Sequence, residues 1–453
     1  MKVAFIGNMN NNGFALMRYF RDLGVDAHLL LFNDDGLGAN SHFSTDADTW
    51  NPAHWAPYIR RLPFRNGPGD LVGRPESLVP ALRPLAAAKS VWCALTRGSR
   101  RQPQATPRSV VRNALASFDV LIGSGLSPAY AARADLRLAV YFPYAIGVEF
   151  VGSPLWTHRP HSWMPHIRKM KRVVTDAQSE GIRSSLAVFN SEMGLTDRVL
   201  RQLNVKPVCL QIPMVYNRES TPRTSSASGA ARSALHDMQS NDLNVFHHAR
   251  LNWVRPASMS AADWHYDNKN NDWVFHALAQ LVRLRPHKKV CLFVCRYGQS
   301  VQETEMLIRA LGIESHVRWL PVLQRKEILL LLRACHVAIG EFMSTNGCLW
   351  GGCTWESMAA GCAVIQGFNF CDGVYGATYG HEEPPLLKVT ARSHILRHLL
   401  TAADDPKSLA AIGSDAVRWF NANNGIGLAS KWLEAVPTCA GAGGTEWREG
   451  ARA

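Results

Sequence analysis

The chain reads as an α/β protein of two doubly wound domains facing a central cleft. Three observations carry this expectation. Its 453 residues exceed what one hydrophobic core ordinarily serves. Short apolar runs alternate with helical patterns in two separate series. A small, polar stretch at 217–242 divides the two.

The first series begins with a strand at 3–7, a helix at 14–23 and a strand at 27–32. Further apolar runs follow at 120–123, 138–141, 186–190 and 208–212. Strands separated by helices pair in parallel through crossovers, which builds a doubly wound sheet. Residues 50–112 fit poorly, being rich in Pro and Arg, and are expected as a basic insertion leaving the sheet. The break is centred on Ser220-Thr-Pro-Arg-Thr-Ser-Ser-Ala-Ser-Gly-Ala230, whose lack of apolar period is linker chemistry.

The second series alternates more cleanly: strands at 245–249, 290–295, 317–320, 337–340 and 363–366, with helices at 273–284, 302–311, 326–335 and 354–360 between them. The predicted organisation is therefore a first domain at 1–216, a linker at 217–242 and a second domain at 243–402. Helices at 403–435 are expected to pack back on the first domain, and 436–453 to form a disordered tail. Ligands of such sheets bind outside the carboxyl ends of the strands.

Composition sets the class. Hydrophobic residues make up 47% and charged ones 19%, which is globular rather than disordered chemistry. The apolar start is too short for a signal peptide, and no run approaches the roughly 20 residues that span a bilayer. The expected location is cytoplasmic, peripheral at most on the inner face of the membrane. Ten cysteines lack zinc-site spacing; Cys348, Cys353, Cys362 and Cys371 in particular are too unevenly spaced, so no metal is expected. The formal net charge of +13 is concentrated in the first half. Between Arg60 and Arg112 eleven Arg or Lys stand against Asp70 and Glu76, and 166–172 is a second basic run. Such clusters suit an anionic membrane surface or a phosphorylated partner, or form a solvated loop. Nucleic acid is not expected, because few aromatic residues are interleaved for stacking.

The most telling stretch is Gly351-Gly352-Cys353-Thr354-Trp355-Glu356, a glycine pair between a strand and a helix. The amides and dipole of that helix start suit a pyrophosphate. Glu356 in the first turn suits ribose hydroxyls, or simply the helix dipole. In the first domain, Gly7-Asn-Met-Asn-Asn-Asn-Gly13 is a strand-to-helix turn without the G-x-G-x-x-G spacing. The loops at 123–128 and 144–149 should line the cleft. His158, His161 and His166 are candidates for an acceptor-side base or for ordinary polar surface.

From Asn244 to about Gln366 the order of pieces resembles the donor-binding domain of retaining glycosyltransferases of the two-Rossmann-domain (GT-B) fold, especially family 4. The matching pieces are His248-Ala-Arg250, Asp267-Asn-Lys269, 290–298, Val317-Arg-Trp-Leu320 and Glu356-Ser-Met-Ala-Ala-Gly-Cys-Ala-Val-Ile365. The resemblance implies that Arg250 and Lys269 bind the donor diphosphate, that Gly351 and Gly352 let backbone approach the phosphates, and that Glu356 holds the ribose. Gly13 would take the corresponding place in the first domain. It implies no cofactor beyond the nucleotide-sugar co-substrate and no metal. The partners would be that donor and a saccharide or lipid-linked acceptor in polysaccharide or glycolipid assembly. The sequence departs from the family at the first acid of E-x7-E, where it has Cys348. Glu341 and Asn346, nearby in sequence, are candidates to take its role at the donor sugar. Two other readings share the architecture, a catalytically silent nucleotide-sugar-binding protein and a sugar-nucleotide epimerase.

Overall fold

The structure is a computed structural model. It describes residues 1–35, 44–72, 105–143, 148–152, 165–190, 194–220, 224–257, 259–343 and 351–437. Two all-parallel sheets dominate it. The first contains β1 (Lys2–Ile6), β2 (Asp26–Leu31), β3 (Ile59–Arg61), β4 (Val120–Gly123), β5 (Val140–Tyr141), β6 (Ala187–Asn190) and β7 (Val208–Cys209), in the order β3-β2-β1-β4-β5-β6-β7. The second contains β8 (Leu243–His247), β9 (Val290–Cys295), β10 (Val317–Leu320), β11 (Val337–Ile339), β12 (Ala363–Gly367) and β13 (Leu387–Val389), in the order β10-β9-β8-β11-β12-β13.

Both sheets are covered on both faces, as parallel sheets require. Along β1, Val3 and Phe5 enter one core cluster while Ala4 and Ile6 enter another. Along β9, Val290, Leu292 and Val294 face one cluster and Phe293 and Cys295 the other. The α/β fold of two doubly wound domains is thus the fold of the chain. In each sheet the winding reverses beside the first strand, between β1 and β4 and between β8 and β11. Such reversals open a crevice at the carboxyl ends of the strands.

Three features differ from the expectation. The basic insertion does not leave the sheet entirely: Ile59–Arg61 pairs with Leu29–Leu31 as an edge strand, anchored by buried Leu62 and Phe64. The segment expected as linker contains the helix Gly229–Met238, whose Ser228 hydroxyl accepts from the Ala231 amide and whose Ala231, Ala234 and Met238 are buried. Beyond β12 the second domain continues through the helix Val374–Tyr379, β13 and the helix Arg392–Asp404, none of which had an evident sequence signal.

The chain passes between the two cores twice. Ile212 and Tyr216 belong to the first core, and Met214 and Val215 to the second. On the return, Phe420 of the helix Pro406–Asn423 packs in the second core, while Leu428, Ala429 and Trp432 of the helix Ile426–Ala435 pack in the first. Trp432 lies against Phe142 and Phe189 at 5.5 and 4.8 Å between ring centroids, and its indole donates to the Gln211 carbonyl. The two crossings are joined side by side, because Asn217 donates to the Asn421 side chain at 2.9 Å; the first is also tied to the helix Asn12–Asp22, whose Tyr19 hydroxyl donates to the Val215 carbonyl at 2.9 Å.

Candidate functional site

The crevice beside β8 and β11 gathers the candidate residues of the second domain. β8 runs straight into His248 and Arg250. β11 ends at Ile339 and is followed by Gly340, Glu341 and Phe342. The helix Gly352–Ala359 has Gly351 as its N-cap. Gln366 of β12 fixes the turn after β11, because its side chain accepts from the Glu341 amide at 3.0 Å and donates to the Glu341 carbonyl at 2.7 Å.

Lys269 is buried, and its ammonium pairs with the equally buried Glu341 carboxylate. Its backbone is held on both sides: the amide donates to the Asn252 carbonyl, and the Phe342 amide donates to the Lys269 carbonyl. Arg250 is partly exposed and faces Asp267 at 3.5 Å. Asn252 also donates to the Asp267 carboxylate, at 2.7 Å, so Arg250, Asp267 and Lys269 form one connected group.

Gly351 lies under the Glu341 carboxylate. A Cβ built there would stand 2.6 Å from both carboxylate oxygens, so glycine is what lets the Glu341 carboxylate rest in this position. At Gly352 a Cβ would be in ordinary contact among the described residues, 3.9 Å from Glu356 Oε1 and from Met214 Cε. Gly13 is fixed by packing. Its Cβ would fall 2.3 Å from the Gly7 carbonyl, so its glycine lets the helix Asn12–Asp22 pack on the turn after β1. The asparagine cluster between them is also structural in large part. Asn8 accepts from the Phe14 amide at 2.9 Å and donates to Asn11 at 2.7 Å, while Asn10 and Asn11 take the left-handed conformation that asparagine tolerates.

Glu356 is buried in the first turns of its helix, with both carboxylate oxygens engaged. One accepts from Arg325 Nε at 2.7 Å and the other lies 3.0 Å from His248 Nε2. Burial alone would raise its pKa, but the His248 hydrogen bond and the Arg325 charge outweigh it and hold the group at about 2. Arg325 also donates to the Asn10 carbonyl at 2.8 Å and the Met214 carbonyl at 3.3 Å, and lies 3.7 Å from Asp48. Asp48 in turn pairs with Arg18, which is fully buried and stacked on Phe14 and Tyr216. A buried chain of charges, Arg18, Asp48, Arg325 and Glu356, with His248 hydrogen-bonded to its end, therefore runs from the first domain into the crevice of the second. Beside it, burial presses His247 down to about 3, so its imidazole is neutral. His248 Nδ1 and the Asn12 side-chain amide are buried with no hydrogen-bond partner among the described residues.

Cys348 and Asn346 lie outside the described residues, as do His158, His161 and most of 144–149; the side chain of His166 is also outside them. Arg18, Asp48, Arg325 and His248 were not among the sequence candidates. The one available signal was Arg18, an arginine in the otherwise apolar Phe14-Ala-Leu-Met-Arg-Tyr-Phe20. No three His, Cys, Asp or Glu side chains converge as a metal site among the described residues, and no described helix is long and apolar enough to cross a membrane.

No protein-family profile matches the sequence, and no curated protein matches it. Solved structures do. HepE of Anabaena, in complex with UDP and glucose, aligns with 16% identity over 96% of this chain and 98% of its own, with a TM-score of 0.53. A glycosyltransferase of Rickettsia africae aligns with 11% identity over 96% and 97%, at 0.51. Sucrose-phosphate synthase of Thermosynechococcus elongatus aligns with 13% identity over 96% and 98%, at 0.50. The likeness spans both domains and establishes the GT-B arrangement of the chain.

Proposed function

We propose that this protein is a glycosyltransferase that moves a sugar from a nucleotide-sugar donor to a saccharide or lipid-linked acceptor, with retention and without a metal, at the inner face of the membrane. The observation that carries the reading is the group of Lys269, Arg250 and the Gly351–Gly352 helix start, all at the winding reversal of the second sheet. Fixed cations there would offset the charge that develops on a departing nucleoside diphosphate, so a metal is not required. The ribose would lie against the Glu356 edge. The acceptor would enter from the first domain and attack on the face the diphosphate leaves, with both substrates held in place and water excluded.

Arg250→Ala and Lys269→Ala should each abolish release of nucleoside diphosphate from a nucleotide-sugar panel with the fold intact. Normal turnover in both variants would refute the assignment. A thermal-shift screen with UDP, GDP and ADP identifies the base, since a ligand of the folded state raises stability by mass action.

One second reading has a specific observation behind it. The family's first acid is Cys348, and both Glu356 oxygens are engaged within the protein. A catalytically silent nucleotide-sugar-binding protein would show saturable binding in the screen and no diphosphate release.

A further inference from the structure

Lys269 and Glu341 pose a problem for the function above, on which the present inference rests. The proposed diphosphate cation already has an anion. Both side chains of the pair are at least nine-tenths buried, so the pairing is not a loose surface contact. The same carboxylate also sits over Gly351, with its Cδ 2.7 Å from where a Cβ would be. It therefore takes up the space between the cation and the first residue of the helix, the place a phosphate would use.

The charge balance points the same way. Arg250 and Lys269 contribute two positive charges, and their partners Asp267 and Glu341 contribute two negative ones. Those four groups sum to zero, so a polyanion arriving beside all of them meets no net attraction. Freeing Lys269 from Glu341 restores a positive charge in a buried setting, where one charge acts strongly.

We propose that Glu341 is an internal competitor of the donor's phosphate, and that a nucleoside diphosphate binds by displacing the Glu341 carboxylate from Lys269 and Gly351. Only the side chain has to turn. The Glu341 backbone stays tied to Gln366 on both sides and accepts from the Gly367 amide at 3.0 Å. The exchange replaces one carboxylate with a more highly charged group, so it favours a diphosphate over a monophosphate. A mono- or weakly dianionic ligand gains too little from Lys269 to evict the resident acid.

The test uses the intact chain with inorganic pyrophosphate and orthophosphate as probes, measured by calorimetry. Glu341→Gln should bind pyrophosphate at least about tenfold tighter than the unaltered protein, the lower end of couplings measured for close charge pairs. Orthophosphate should tighten by about the same factor, because both ligands are relieved of one and the same displacement cost. Lys269→Met should remove binding of both. Without either anion Glu341→Gln should melt below the unaltered protein, because Lys269 is left buried and unpaired; saturating pyrophosphate should raise its melting temperature by more. Glu341→Asp keeps the charge with a shorter reach and should fall between, which serves if Glu341→Gln folds poorly.

Unchanged or weaker pyrophosphate binding in both Glu341 variants, with binding still lost in Lys269→Met, overturns the displacement and leaves the donor site standing. Absence of pyrophosphate binding in all proteins overturns the displacement too. If UDP, GDP and ADP are then also silent, the glycosyltransferase reading falls with it.

Discussion

Replacing Glu356 by Gln tests the buried chain of charges at its centre. The carboxylate titrates at about 2 in the folded chain against an ordinary 4.5. At 1.36 kcal/mol per pH unit, the ionised form contributes about 3 kcal/mol to stability. That figure agrees with the roughly 3–5 kcal/mol lost when one partner of a buried ion pair is removed. The sign follows from the depressed value: the contribution is complete above pH 4.5 and is lost as pH falls toward 2. Urea unfolding of the two proteins should therefore differ by about 3 kcal/mol at pH 7, and by about half of that near pH 3. Equal stability at pH 7, or a difference that does not narrow between pH 5 and pH 3, would show that Glu356 is not held by Arg325 and His248 in this way.

Other consequences are as direct. Trp432→Ala empties a fully buried site between Phe142 and Phe189 and should cost about 3–5 kcal/mol; hydrogen exchange should show amides 426–435 losing protection while β8 to β12 keep theirs. Gly13→Ala forces a methyl against the Gly7 carbonyl and should lower stability by about 1–3 kcal/mol, with an unchanged melting temperature refuting the packing role. His247, pressed by burial to about 3, should show no titration of its ring resonances in NMR between pH 8 and pH 5, and a midpoint near 6 would contradict its burial.

Much of the architecture is written locally. The run at 120–123 and the successive strands and helices between 290 and 366 are long enough in apolar period to be placed within a few residues. What escaped did so for physical reasons. β3 is three residues long with two exposed arginines, so at a sheet edge it carries almost no alternation. The helix Gly229–Met238 buries mainly alanines, whose small side chains leave no visible stripe beside the serines before it. The site divides similarly. Lys269 and the glycine pair are placed by their neighbours in sequence, so motif order locates them. The partners of Glu356 stand 31 and 108 positions away, and Asp48 belongs to the other domain. Only the folded chain brings these together, which is why the charge network was invisible beforehand.

The double crossing at Asn217 and Asn421 has a mechanical consequence. A single tether would let one lobe swivel in any direction about it, whereas two tethers fastened side by side leave one soft motion, rotation about the line through both. Any other rotation must stretch one tether against its neighbour and strain the Asn217–Asn421 hydrogen bond. The two lobes are thereby constrained to swing like a door on a pair of pins, along an arc set by the covalent path itself.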